Sequence, residues 1–361
     1  MNWQADVYKT LAGDKDIGQD VVDENEKLEF ISTGVVNLNI AYSGKVFGGI
    51  PMGKVSQMAS LSSLGKSFVG MSIGKNAQKK DCFFLYIDTE NAFDYKFAKQ
   101  CGVDTSKEKF MALSNNNIFD VQKAILKSVK NVPKDKRKYV FIFLDSFANL
   151  QTPQTLKKAE EGNEKKDMSI TQLKNGLSRV LSNTHATIFV ANHLYQNVGG
   201  FGDALQVPGG KVLKHNCTGV VMGSSKAKDK DSQENITGSI ITIEIEKSRL
   251  AYEKAKLKFR IKRDGGLDIY YGLLDDAKEH GCVEKTGNYY IRPHIKNDKK
   301  FYEKNIYNKE FWLPIFRDTD FKDFLETKYA FKEENKLDIA DDDDLSETAN
   351  EKTGKKGEVK K

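Results

Sequence analysis

Eight consecutive residues, Ser60-Leu61-Ser62-Ser63-Leu64-Gly65-Lys66-Ser67, carry the most legible chemistry in this sequence. They follow an apolar run and open a helical segment, and they match the phosphate-loop pattern G-x-x-x-x-G-K-[ST] at every position but the first. In such a loop, backbone N–H groups and the helix N-terminus face the phosphates of ATP. Lys66 supplies a point charge to the outer phosphates, and the Ser67 hydroxyl ligates Mg²⁺. The expected nucleotide-contacting stretch is therefore Ser60 to Ser67, with Phe68 next in the helix. Ser60 stands where the pattern has its first glycine. A positive φ at that position would strain the turn, because serine tolerates it less freely than glycine.

Three further residues fit a nucleotide-hydrolysing site. The apolar run Tyr139 to Leu144 ends in Asp145-Ser146, which places Asp145 at the carboxyl end of a buried strand, able to hold the Mg²⁺ shell. The run Cys82 to Ile87 ends in Asp88-Thr89-Glu90-Asn91, where Glu90 could orient the water that attacks the γ-phosphate. The run Ala186 to Ala191 ends in Asn192-His193 ahead of a glycine-rich stretch, so His193 could donate to a γ-phosphate oxygen. On spacing alone, solvated loop carboxylates and a locally satisfied histidine are the plain alternatives.

Those runs, together with Val55 to Ala59, read as four buried strands of an α/β fold with a mostly parallel central sheet. Between them, Val121, Ala124, Ile125, Ser128 and Val129 fall at helical spacing, as do Ile170, Leu173, Leu177, Val180 and Leu181. After Thr218 the period changes. Ile241, Ile243 and Ile245 alternate with polar residues, and Leu257, Phe259 and Ile261 do the same, which predicts an antiparallel extension with opposite charges on its two strands. The expected organisation is an N-terminal arm over 1–30, a core over 31–270, a small aromatic C-terminal lobe over 271–330 and a disordered charged tail over 331–361. That tail joins Asp341 to Asp344 with lysines up to Lys361, and reads either as solubilising or as a competitor for basic sites on the body.

A net charge of +6 permits nucleic-acid binding without requiring it. Cys82, Cys101, Cys217 and Cys282 lie far apart with no C-x-x-C pair, which argues against a zinc site or a disulfide frame. No run approaches the roughly 20 apolar residues of a membrane span, and the first residues lack the pattern of a secretory signal. A cytoplasmic location is expected.

The ordered blocks Ser32-Thr33-Gly34, Gly48 to Gly53, the phosphate loop, Asp88 to Asp94, Leu144-Asp145-Ser146, Ala191-Asn192-His193 and Glu246-Lys247-Ser248-Arg249 resemble the RecA family of strand-exchange recombinases, in particular its phage branch typified by UvsX. The resemblance spans roughly residues 31 to 275. It implies a RecA-like P-loop ATPase core, Glu90 as the catalytic glutamate and His193 as the γ-phosphate sensor. Asp94 and Phe97 would contact adenine, with Phe97 where a tyrosine is usual. Lys247 and Arg249 would reach ATP bound by a neighbouring subunit.

The resemblance implies that two loops carry DNA, residues 151–167 with Lys157, Lys158, Lys165 and Lys166, and residues 194–211 with Tyr195, Phe201, Gly209 and Gly210; without it, either reads as an ordinary solvated connection, the first also holding Glu160, Glu161 and Glu164. The implied activity is ATP-dependent pairing and strand exchange by a helical homopolymer on single-stranded DNA, searching double-stranded DNA. A recombination mediator and a single-strand-binding protein are the implied partners, and the setting is the host cytoplasm if the chain is phage-encoded. A hexameric helicase and a non-hydrolysing ATP-gated mediator share enough of these features to stand as alternatives.

Overall fold

The computed structural model describes residues 28–160, 169–196, 205–206, 210–231, 233–263 and 266–330. Residues 1–27 of the expected arm and the whole tail after 330 lie outside the described residues. The chain enters through β1 (Phe30–Ile31), α1 (Val36–Ser43), β2 (Ile50–Pro51), β3 (Val55–Ser60) and α2 (Lys66–Gln78). It continues through β4 (Phe83–Asp88), α3 (Tyr95–Gln100), β5 (Phe110–Ser114), α4 (Ile118–Lys130), β6 (Val140–Asp145), α5 (Pro153–Glu160), α6 (Ser169–Asn183) and β7 (Thr187–His193). The short strands β8 (Tyr195–Gln196) and β9 (Leu205–Gln206) and the helix α7 (Gly210–Asn216) lead to β10 (Gly219–Lys230), β11 (Ile236–Ser248), β12 (Lys256–Lys262) and β13 (Gly266–Leu267). The final elements are α8 (Leu274–His280), β14 (Glu284–Thr286), β15 (Tyr289–Ile291), β16 (Phe301–Tyr302), α9 (Lys309–Asp318) and α10 (Phe321–Tyr329).

Nine strands form the central sheet in the order β13-β12-β11-β10-β3-β7-β6-β4-β5. From β10 to β5 every neighbouring pair is parallel, and β10 to β13 form the antiparallel extension. The four apolar runs become the parallel centre because helices cover both faces and both side-chain sets are buried. Along β6, Phe141 and Phe143 join one apolar cluster with Val69 and Ile73 of α2. Ile142 and Leu144 join the other, with Val121, Ile125 and Val129 of α4 and Leu177 and Leu181 of α6. That is the helical spacing expected for both helices, now seen as two stripes on one sheet face.

The antiparallel extension follows its alternation: Ile241, Ile243, Ile245, Leu257 and Phe259 are buried. Glu244 stands opposite Lys256 in the ladder with an ion-pair distance of 3.9 Å, an exposed contact of small energetic weight. The edge strand β5 was not among the expected strands. Its Phe-Met-Ala-Leu-Ser sequence is short and buries only Phe110 fully, so no periodicity marks it. Residues 271–330 contribute three helices and a small antiparallel sheet. Phe311, Trp312 and Phe321 belong to the same apolar cluster as Leu38 and Tyr42 of α1.

Helix α2 approaches the sheet through two glycines. A Cβ at Gly70 would lie 2.2 Å from the Phe143 ring, and one at Gly74 would lie 2.1 Å from the Phe84 ring. Gly176 in α6 has open space around it and no positive φ. Gly70→Ala is therefore expected to destabilise the chain by about 1–3 kcal/mol through overpacking. Gly176→Ala should stabilise it by about 0.4–1 kcal/mol through reduced unfolded-state freedom. Urea unfolding monitored by circular dichroism checks both signs.

Candidate functional site

Parallel register sets the ends of four strands level. Ser60 at the end of β3 pairs with His193 at the end of β7, and Asp88 at the end of β4 pairs with Asp145 at the end of β6. Into the crevice beyond these ends opens a cleft of about 490 Å³, lined by Ser62 through Phe68, Glu90, Phe97, Asp145 and His193. Open α/β sheets bind ligands at this place.

The phosphate loop leaves β3 and enters α2 at Lys66. The strain foreseen for Ser60 does not arise, because Ser60 is the last residue of the strand, and the positive φ values fall instead at Ser63 (62°) and Gly65 (81°). Gly65 is also closely approached, since a Cβ there would lie 2.2 Å from Ile261 Cδ1. Lys66 is buried, and its Nζ donates to Ser60 O (3.3 Å), Ser60 Oγ (3.2 Å) and Leu61 O (3.1 Å). Burial lowers its pKa, opposed by the charges of Asp145 and Glu90.

Asp145 is almost fully buried and accepts from Ser67 Oγ (2.7 Å) and Tyr86 OH (3.1 Å) through Oδ2. Burial pushes its pKa up, the Ser67 hydrogen bond pulls it down, and the Glu90 charge adds to the rise. Glu90 is placed by its own loop: Asp88 accepts from the N–H groups of Glu90 (2.9 Å) and Phe93 (2.7 Å), tying the turn after β4 to the strand. Glu90 Oε1 accepts from Ser146 Oγ (2.8 Å) and contacts His193 Nε2 at 2.7 Å. Burial opposes its charge, but the hydrogen bonds from His193 and Ser146, together with the electrostatic attraction of His193 and Lys66, hold the carboxyl below the usual range. Thr89 and Ser146 bond reciprocally at 2.8 Å, locking the two loops together, and the Asp145-Ser146 peptide is cis.

Phe97 packs edge-to-face on Phe68 with ring centroids 4.9 Å apart, and both rings also border a neighbouring 620 Å³ cleft with Lys75, Lys262 and Arg263. Asp94 caps α3 by accepting from Lys96 N and is exposed, outside the residues lining the cleft. Lys247 and Arg249 are not brought to this cleft. Lys247 pairs with Val220, three residues along β10 from the Gly223 that pairs with Ser60, about 10 Å at strand rise. Its Nζ donates to Lys214 O, His215 O and Cys217 O, capping the end of α7. Arg249 is exposed.

Of the DNA-loop residues, Lys157 is exposed on α5, so part of the segment read as a loop is helical. Lys158 belongs to the same helix, Tyr195 begins β8 and Gly210 begins α7. Lys165, Lys166, Phe201 and Gly209 lie outside the described residues.

Several site residues escaped the sequence reading: Tyr86, Asp88 and Ser146, which sit beside recognised motifs, and Lys226, Ser239 and Ile261, which come from the extension. Lys226 Nζ donates to Ser63 O at 3.0 Å. In a strand with Lys228 and Lys230, only the pairing of β10 beside β3 distinguishes it from a solvated lysine.

The strand order, the loop and the carboxylates at the strand ends define a P-loop nucleotide-binding protein of the α/β class. A model of the RecA N-terminal domain matches residues 11–268. The chain is 26% identical over 320 residues to the recombination and repair protein of Enterobacteria phage T4, covering 84% of this chain and 80% of that one. It is 27% identical over 274 residues to Protein RecA of Wolbachia pipientis subsp. Culex pipiens, with 73% and 72% covered, and 27% identical over 274 residues to Protein RecA of Aquifex pyrophilus, with 74% of each covered. The chain belongs to the RecA family, and its activity is that of a recombinase and DNA-dependent ATPase. No helix among the described residues is long and apolar enough to cross a membrane.

Behind the Ser146 turn, the buried Lys174 of α6 donates from Nζ to Ala148 O at 2.7 Å. Burial lowers its pKa from 10.5 to about 8. The folded chain then holds this proton less tightly than the unfolded chain, so stability rises with pH from about 8 toward the unfolded value. Lys174→Met is expected to remove that rise, measured as the urea midpoint across the same window.

Proposed function

We propose that Mg²⁺ and ATP occupy the cleft between the phosphate loop and the ends of β4, β6 and β7, and that hydrolysis there governs a filament on single-stranded DNA that pairs with and exchanges strands of a duplex. The observation that carries this reading is the convergence of Lys66, Ser67, Asp145, Glu90 and His193 on one cleft in a chain of the RecA family.

Ser67 and Asp145 form a hydroxyl–carboxylate pair of hard oxygen donors 2.7 Å apart, which suits Mg²⁺. Bound Mg²⁺ supplies charge neutralisation at the phosphates. Backbone N–H groups from Ser60 to Ser67 and the Lys66 ammonium bind the phosphate chain, while Phe97 and Phe68 offer an aromatic edge to the base and Asp94 lies at the head of the same helix. Glu90 is ionised, and its lowered pKa suits a group that orients a water rather than one that removes its proton early. His193 touches Glu90 and stands directly before the segment 194–211, so it links phosphate contact to the DNA segment.

Lys247 and Arg249 sit too far along the strands to complete their own cleft, which supports their contribution to the ATP of a neighbouring subunit. DNA contacts are assigned to Lys157, Lys158, Lys165 and Lys166 and to Tyr195, Phe201, Gly209 and Gly210. A mediator and a single-strand-binding protein complete the assigned partners.

ATP turnover measured with and without single-stranded DNA across a salt series tests the reading. Stimulation by DNA that fades with salt, together with strand exchange, is the expected result; turnover indifferent to DNA overturns it. Lys66→Ala should abolish turnover, and Glu90→Gln should reduce it by about 100-fold or more while ATP binding persists. Lys247→Ala should impair turnover through assembly.

A further inference from the structure

The ammonium of Lys66 has three N–H donors, and three loop oxygens take them: Ser60 O, Ser60 Oγ and Leu61 O. With glycine at position 60, one of those acceptors would not exist. Ser60 Oγ gives its own proton to Leu61 O at 3.0 Å, which leaves its lone pairs for the ammonium. A phosphate oxygen that recruits Lys66 must therefore displace an internal, charge-assisted partner supplied by the one residue that departs from the glycine pattern.

The fold makes space for that residue on the neighbouring strand. Gly223 of β10 is in register with Ser60, and a Cβ on Gly223 would lie 2.7 Å from Ser60 Cβ, closer than two carbons pack. The next contact of such a Cβ, with Leu64 Cδ1, is an ordinary 3.4 Å. Gly223 carries no positive φ, so its need for glycine comes from Ser60 alone.

We propose that the Ser60 hydroxyl is a built-in competitor for Lys66, and that Gly223 is the matched residue that leaves room for the Cβ carrying it, so that position 60 sets the nucleotide affinity of the loop. The pair tunes a site that remains a phosphate loop in every other respect, and the inference rests on the nucleotide reading of that loop.

Equilibrium binding of a fluorescent ATP analogue with Mg²⁺, on the full chain without DNA, tests it. Ser60→Ala and Ser60→Gly are expected to tighten binding, Ser60→Ala by roughly fivefold, the ratio that one net hydrogen bond of about 1 kcal/mol commands. Gly223→Ala should weaken binding and lower the melting temperature, and adding Ser60→Gly to it should restore both. Binding in Ser60→Ala equal to or weaker than in the unchanged chain overturns the competitor role. A Gly223→Ala defect that Ser60→Gly leaves unrelieved overturns the pairing. If the unchanged chain itself binds no analogue, the nucleotide reading fails and takes this inference with it; binding that Lys66→Ala abolishes keeps the two questions apart.

Discussion

The alignment of β3, β7, β6 and β4 in parallel register is the constraint on which the site depends. Each strand contributes one group from its carboxyl end, and none of these groups is close to another in sequence. Ser60 opposite His193 and Asp88 opposite Asp145 fix where the loop, the histidine and the carboxylates meet. A slip of one residue in any of these pairings would turn buried side chains to the opposite face. The two apolar clusters on the sheet faces hold the register, because Phe141 and Phe143 fit one layer and Ile142 and Leu144 the other.

That alignment buries charge. Desolvation disfavours the ionised forms of both Lys66 and Asp145, and hydroxyls and carbonyls from the surrounding loops supply the compensating partners. Such a site is built against the grain of stability, since apolar groups of similar size would pack the same space without the desolvation cost. The short tethers around it, from Asp88 to the turn amides and between Thr89 and Ser146, give Glu90 a fixed place.

The antiparallel extension acts at two points along β10. Near the cleft it offers Gly223 beneath Ser60 and Lys226 against Ser63 O. At the other, Lys247 opposite Val220 caps α7, the helix that follows the glycine-rich segment. One ladder thus touches the phosphate loop and the helix beyond that segment, a physical connection between the two places where nucleotide and DNA are assigned.

Local pattern was enough to determine the phosphate loop, the parallel strands that end in Asp88, Asp145 and His193, the amphipathic stripes of α4 and α6 and the alternation of β11 and β12. Each depends on the order of a few neighbouring residues, which periodicity and the steric demands of a loop make visible. Strand β5 left no such mark, and the helix α5 was hidden by its charged composition. Contacts between distant segments were decided only by the tertiary structure. Ser60 proved to be strand rather than turn, with its space granted by Gly223, and the partner of Lys247 on β10 proved to lie three residues from the Gly223 that pairs with Ser60 at the cleft of its own chain. The reason is the same in each case: a side chain's meaning depends on which strand is its neighbour, and strand order is a property of the folded sheet, not of the chain read in line.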